Sequence, residues 1–495
     1  MKTKKVLAAL LSLALLLTSL FSLAACSEAT ESAEEGGVKA DAESPEPGAA
    51  EEAGTEEDYD PYAYARQKLE EIPAASYDGA SFGIASQAGT GNSEKEIWVE
   101  DLTGDVVNDA VFNRNLALAK RFDLEIFLQP GDVMNLVRQS VSAGDAAYKI
   151  AFPNMATATG MAQNGMLLDY MQLDNLNLTD VWWDQGTLAM DIMGKVYFMN
   201  GDINFLDNDV TYIQLFNKKL ISDLGLDVPY DLVREGKWTI DAFREMCVNV
   251  TADLDGDGQY TDEDRYGYIT TGEGPCTFFY GSGLTLVTTD AEGIPALDID
   301  VEKTVATLEK VVKIISEDNI TRIPKDVAVG KNMFMTDRVL FYGEVLSYIV
   351  NVREMETAFG VLPIPKYDEM QEKHYTYCNA ISSTACVPTT SFDIGMITSV
   401  LEGMAIQSFI DVTPAYYEIA LTRKYARDSE SSEMLDVALA NRVYDIGRFY
   451  SVGVGDIFQQ LAAKGSTDFA SALAKNQKLA AKSLERIVKD FSKLD

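Results

Sequence analysis

Between Ser81 and Phe152 the chain alternates strand and helix patterns, and that alternation restricts the fold class more than any other feature. Ser81-Phe82-Gly83-Ile84-Ala85, Ile97-Trp98-Val99, Leu124 to Leu128 and Tyr148 to Phe152 read as short strands rich in β-branched and aromatic residues. Val106 to Phe122 reads as a helix, with apolar residues at Val107, Ala110, Val111, Leu118 and Phe122. Asp132 opens a second helix that runs to Ala143. A βαβαβ series implies an α/β fold with a mostly parallel sheet covered by helices. Ligands of such sheets bind beyond the carboxyl ends of the strands, which makes Asn154 a candidate ligand-facing residue.

The body of the chain runs from Tyr77 to Asp495. At roughly 420 residues it exceeds what one core supports, so two lobes are expected. The net charge is −36, a field that repels phosphate backbones, and no nucleic-acid partner is expected. A single histidine, His374, stands beside Lys373 in a polar stretch and reads as a surface residue. One histidine makes zinc sites and His-based catalytic groups improbable on composition. Cys247 falls on the apolar face of a helix, Cys276 fits no metal spacing, and Cys378 and Cys386 could pair or stay free. No Gly-rich phosphate loop, nucleophile elbow or internal repeat is present.

The N-terminus carries Lys2, Lys4 and Lys5, then an apolar stretch broken by Ser12, Thr18, Ser19 and Ser22, then Leu23-Ala24-Ala25-Cys26. This reads as a secretory signal over residues 1–25. The Leu-Ala-Ala-Cys box resembles the bacterial lipoprotein signal, which implies that Cys26 is lipidated and tethers the protein to the extracellular face of the cell membrane. Two acyl chains suffice for stable anchoring where one does not. Residues 26–76 are read as an acidic disordered spacer. Residues 27 to 60 hold thirteen acidic residues and one lysine, too polar to offset the entropy of ordering.

Asp253-Leu254-Asp255-Gly256-Asp257-Gly258-Gln259-Tyr260-Thr261-Asp262-Glu263-Asp264 fits a calcium-loop pattern. Hard Ca²⁺ takes six to eight oxygens, and carboxylates at alternate positions converge on one point. Asp253, Asp255, Asp257, Gln259, Thr261 and Asp264 are the candidate ligands, with Gly258 at the sharp turn. The next segment, Arg265 to Ile269, reads as a strand, so the helix from Thr239 to about Val250 has no paired helix to open. The metal is therefore expected to be structural.

Gly194-Lys195-Val196-Tyr197, Leu215-Phe216-Asn217-Lys218-Lys219-Leu220, Gly236-Lys237-Trp238-Thr239-Ile240-Asp241-Ala242-Phe243, the Asp-rich loop and Tyr266-Gly267 follow one another in order. With Phe359 to Lys366, Tyr416-Tyr417-Glu418 and Met434-Leu435-Asp436, they resemble the extracellular solute-binding lipoproteins of ABC importers, maltose-binding-like group, Gram-positive type. The resemblance covers about residues 80 to 490. It implies a two-lobed periplasmic-binding-protein-like fold of type II, with hinge-linked lobes that each hold a mostly parallel sheet. Residues 77–205 plus 376–424 would form lobe 1, and 206–375 plus 425–495 lobe 2. Crossovers are expected near Asn204 to Tyr212, Tyr375 to Asn379 and Thr422 to Asp428. The implied function is capture of a small solute, an oligosaccharide first, by a monomer that hands it to the transmembrane subunits of an ABC permease, without chemistry.

Sugar sites pair aromatic platforms with carboxylates and amides. Candidate ligand contacts are Trp182, Trp183, Asp207, Asp209, Phe278, Phe279, Tyr280, Glu344, Tyr348, Tyr444 and Arg448, together with Asn154. A cleft aromatic such as Trp183 is expected to be partly exposed. Two other classes stay open on the residues: a secreted glycoside hydrolase, which needs only two carboxylates, and a sensor or adhesin using the same fold.

Overall fold

The computed structural model describes residues 59–89, 93–317, 319–352, 354–422 and 429–494. The signal, Cys26, most of the spacer and the third crossover beyond Thr422 lie outside them.

Twelve strands occur among the described residues. They are β1 Ala80–Gln87, β2 Leu124–Gly131, β3 Ile150–Phe152, β4 Tyr212–Asn217, β5 Tyr266–Thr270, β6 Val287–Thr289, β7 Pro295–Leu297, β8 Thr321–Arg322, β9 Val339–Val345, β10 Phe359–Leu362, β11 Thr376–Tyr377 and β12 Arg442–Val443.

The first lobe is built on a parallel sheet of order β2-β1-β3, with Ala80 opposite Leu124 and Ile84 opposite Ile150. Helices Val106–Phe122 and Val133–Ala143 form the crossovers, as the spacing predicts. Asp105 and Asp132 cap them by accepting backbone N–H groups, and Asp123 ends the first in the left-handed region at φ 52°. Gly83 on β1 has no room for a side chain, since a Cβ there would lie 2.2 Å from the Ala147 carbonyl oxygen. The second lobe holds a five-stranded sheet, β10-β4-β9-β5-β8. Its β4 pairs antiparallel with β10 and β9, while β5 pairs parallel with β9 and β8, so this sheet is mixed.

The two segments marked as crossovers run side by side. Thr211 and Cys378 bridge antiparallel, the Asn379 N–H donates to the Val210 carbonyl at 3.1 Å, and Thr376 Oγ1 donates to the Tyr212 carbonyl at 2.6 Å. Farther on, Ala385 and Cys386 return along the first lobe, bridging Met199 and Ala151. Glu96 fastens this junction. Its carboxylate accepts the Phe205 and Leu206 N–H groups at 2.7 and 2.6 Å and the Ser383 hydroxyl.

Three sequence expectations change. Ile97-Trp98-Val99 is no strand: Ile97 closes the short helix Ser93–Ile97, and its carbonyl is taken by Arg114 and Asn115. The spacer stops earlier than residue 76, because Asp60 caps a helix Pro61–Glu71. Ala65 of that helix is buried, Tyr62 stacks on Phe409 at 5.1 Å and Tyr64 on Trp182 at 6.0 Å. His374 is buried instead of exposed, facing the Ile364 carbonyl through Nδ1 at 3.0 Å, and burial lowers its pKa to about 4. Cys247, Cys276, Cys378 and Cys386 are all buried and free.

Candidate functional site

Where the lobes meet, a cavity of about 800 Å³ opens beside the hinge. Trp182, Trp183, Asp184, Asp202 and Tyr417 line one wall, Tyr375, Asn441, Arg442 and Tyr444 the other, and Asn208 of the crossover lies between.

Asp184 joins the two walls. Its Oδ2 accepts from Arg442 Nε at 2.8 Å and from the Tyr444 hydroxyl at 2.7 Å, and its Oδ1 from the Gly186 N–H at 2.9 Å. Arg442 also donates to Asn208 and lies 3.5 Å from Asp207 Oδ2. That second oxygen of Asp207 is buried and takes no hydrogen bond. Burial pushes the Asp207 carboxyl up to about 7, against the pull of Arg442 and with the added repulsion of Asp184. Asp202 also rises to about 7, from burial first, opposed by Thr413, whose hydroxyl it accepts at 2.5 Å. Gly201, at φ 155°, lets the chain cross the Trp182 carbonyl, where a Cβ would sit 2.2 Å from the oxygen.

The tryptophans are not exposed platforms. Trp182 and Trp183 are 1% and 2% exposed, and both indole N–H groups donate to Glu402, at 2.9 and 3.1 Å. They form the cavity wall as core residues. A buried carboxylate with two indole donors fixes the ring planes, and burial raises Glu402 to about 7. Tyr444 is likewise buried, with its hydroxyl within 3.4 Å of the Asn200 amide nitrogen.

The other sequence candidates fall elsewhere. Asn154 spends its side chain capping a helix at the Thr157 N–H, 2.8 Å away. Asp209 is buried and accepts from the Tyr416 hydroxyl at 2.6 Å. Phe278 packs among Phe243 and Tyr268, and Phe279 against Phe458, inside the core. Tyr280 stacks on Tyr377 at 5.0 Å, which stacks on Tyr212 at 5.7 Å. Glu344 is buried with one oxygen unpartnered, and burial raises it to about 7. Tyr348 meets the Tyr342 ring edge-on at 6.1 Å. Arg448 donates to the Tyr377 hydroxyl at 3.2 Å and pairs with Glu273 and Asp456. The cavity therefore gathers Trp182, Trp183 and Tyr444, while Asp207 lies against its Arg442.

Sequence reasoning missed Asp184, Asp202, Glu402 and Arg442. A lone acid inside the strongly apolar helix Ile394–Gln407 was a readable sign for Glu402, since an isolated buried carboxylate needs donors. Asp184 and Arg442 carry no local sign; they are partners 258 residues apart.

The Asp-rich loop brings Asp253, Asp255 and Asp257 together, with one oxygen from each lying within 4.8 Å of the others. Gly256 and Gly258 take φ of 76° and 79° in the turn. These are hard oxygen donors of the kind Ca²⁺ takes. Asp264 does not join them. Its oxygens accept the Thr261 and Leu254 N–H groups at 2.7 and 2.9 Å, which hold its carboxyl below the usual range and staple the loop shut. Gln259 turns its side-chain amide to Asp257 at 3.2 Å, and the Thr261 hydroxyl is 3.3 Å from Asp264.

No family model and no curated protein matches the chain. Solved structures do. A cyclic α-maltosyl-1,6-maltose binding protein from Arthrobacter globiformis is 16% identical over 83% of this chain and 100% of that one, with a TM-score of 0.54. A cyclo/maltodextrin-binding protein complexed with maltotetraose is 12% identical over 84% of this chain and 97% of that one, with a TM-score of 0.53. UspC of M. tuberculosis is 13% identical over 81% and 100%, with a TM-score of 0.52. The likeness is one of fold: the chain has the two-lobed, hinge-linked α/β architecture, type II, of these maltose-binding-like proteins.

Proposed function

We propose that this chain captures a small solute, a sugar or oligosaccharide, between its lobes and delivers it to an ABC permease without altering it. The observation that carries the reading is the 800 Å³ cavity at the hinge, walled by both lobes and lined by rings, amides and carboxylates. Ligand favours a closed state to the extent that only there do both walls touch it. The structures of like fold named for malto-oligosaccharides support a sugar. Calorimetry and scattering on the full chain test this. A member of a malto-oligosaccharide panel is expected to bind, to reduce the radius of gyration, and to be recovered intact. Recovery of a cleaved sugar would promote a hydrolase, and a panel with no binder would sink the reading.

Cys26 is read as a lipid tether that holds the protein at the extracellular face of the membrane as a monomer. Cys26→Ala is expected to move the protein from the membrane fraction to the medium. Full retention of the variant would point to an uncleaved helix instead.

The Asp-rich loop is read as a structural Ca²⁺ site held by Asp253, Asp255 and Asp257, with Asp264 closing the loop. Bound metal would neutralise three crowded carboxylates and add its binding energy to stability, since the unfolded chain has no formed site. Added Ca²⁺ is expected to raise the melting temperature, a chelator to reverse the shift, and Asp255→Ala to abolish it. Identical melting with Ca²⁺ and with chelator would refute the site.

A further inference from the structure

Helix Phe469–Phe491 carries a charge pattern opposite to that of the chain, whose net charge is −36. Lys475, Lys478, Lys482, Arg486 and Lys489 follow one another at steps of three or four, and all are exposed. At about 100° per residue they share one sector of about 80°, along about 21 Å of helix. Lys493 extends the row just past the helix end. The opposite face is buried through Ala480, Leu484, Ile487 and Phe491, and Phe491 meets the Tyr197 and Tyr450 rings at 5.4 and 6.2 Å. That packing stops the helix from rolling and keeps the cations turned outward. The two acids of the helix, Glu485 and Asp490, lie at the edges of the sector. Asp490 pairs with Lys493 at 2.9 Å and lies 3.6 Å from Arg486. Lys475, Lys478, Lys482 and Lys489 have no ion pair among the described residues. A merely solvated helix face mixes signs at i,i+4 spacing, and this one holds a single sign.

We propose that this face docks on the anionic phospholipid headgroups of a membrane and sets the orientation in which the protein sits there. A straight row of like cations matches a flat anionic surface along its whole length, where a rounded protein patch would meet only part of it. The acids elsewhere on the chain do not cancel the attraction. The screening length at 0.1 M salt is about 10 Å, roughly one helix diameter, so a surface touching the row feels little of what lies behind it. The tether proposed at Cys26 would keep the row near that surface, since the chain from Cys26 to Tyr59 spans at most roughly 120 Å. The proposal goes beyond the capture reading and does not depend on it.

The test is sedimentation with vesicles of residues 26–495 carrying Cys26→Ala, so that no lipid on the protein contributes. One vesicle is phosphatidylcholine, the other a roughly two-to-one mixture of phosphatidylcholine and phosphatidylglycerol, both at about 0.1 M salt. Partition to the anionic vesicle is expected to be stronger by about tenfold or more, and to vanish at about 1 M salt, where the screening length is about 3 Å. Lys478→Gln, Lys482→Gln and Arg486→Gln together are expected to remove most of it, and glutamine keeps the helix. Lys120→Gln, Lys325→Gln and Lys373→Gln, the same change of charge at exposed lysines elsewhere, are expected to leave it in place. Equal partition to the two vesicles would overturn the proposal. So would equal losses in the two triple variants, which would make the effect one of net charge. No partition to either vesicle would also overturn it, leaving an acidic protein surface as the partner of the row.

Discussion

Trp182→Ala is expected to destabilise the fold by about 3–5 kcal/mol, the range for truncating a buried large aromatic. Trp182 is among the largest fully buried side chains described, and three consequences follow from its removal. The ring's contact with Tyr64 is lost. Glu402 loses one of two indole donors, and a buried carboxyl with fewer donors costs roughly 1–3 kcal/mol more. Finally, Trp182 lines both the 800 Å³ cavity and a 300 Å³ one behind it that Glu402 also lines, so truncation would join them. Relaxation would have to close a void with polar walls. Trp182→Phe keeps most of the volume and removes only the N–H, so its cost should fall between wild type and the alanine variant. Urea denaturation of the three proteins checks this. A loss below about 1 kcal/mol for the alanine variant would mean the ring is an exposed platform after all.

Between pH 5 and pH 8 the protein is expected to lose stability on the order of 3 kcal/mol, the opposite of the usual behaviour of proteins with paired carboxylates. Six buried or half-buried acids have raised folded-state pKa values, with burial as the leading cause in each: Glu96 to about 8, Asp202, Asp207, Glu344 and Glu402 to about 7, and Asp445 to about 6. A raised acid favours the protonated folded form. Its contribution is complete below the unfolded value near 4 and is lost as pH rises through 6 to 8. His374 works the other way: its lowered value makes the folded state weaker as pH falls through 6.5 towards 4. Against six acids it reduces the trend without reversing it. Acids with lowered values, such as Asp253 and Asp264, act below pH 4 and do not enter this window. A tenfold difference in proton affinity between folded and unfolded chain corresponds to about 1.4 kcal/mol, and relaxation and water entry around buried charges reduce the sum to the order given. Thermal melts at fixed ionic strength check it, and Glu96→Gln should flatten part of the slope. Stability that is level or rising from pH 5 to pH 8 would refute the expectation.

The strand and helix order of the first lobe was legible because it is written locally. Helix Val106–Phe122 follows from apolar spacing, the next helix from its Asp132 cap, and β2 and β3 from short β-rich runs between breakers. The helix from Thr239 and the strand at Tyr266 were legible on the same grounds, with Thr239 capping through its hydroxyl at the Ala242 N–H. The false strand at Ile97 shows the limit. Three β-favouring residues suffice as a pattern, but the Ile97 carbonyl found side-chain donors at Arg114 and Asn115 before any sheet neighbour.

The aromatic candidates show a different limit. Sequence marks an aromatic as large and apolar, with nothing to say whether a ring faces a cleft or a core. Phe278, Phe279 and Tyr280 fall in one fully buried helix, Gly274–Gly281, and Trp182 and Trp183 are locked by Glu402, which stands 220 residues from Trp182.

What the sequence determined by itself is therefore the α/β class, the element order and the turn chemistry of the Asp-rich loop, since each depends on neighbours within one turn or one strand. Tertiary structure alone decided the cavity, the Asp184–Arg442 link and the burial of His374. Those features depend on which side chains two lobes bring within a few ångströms. Charge pairing and burial act through space, and separation along the chain carries no record of it.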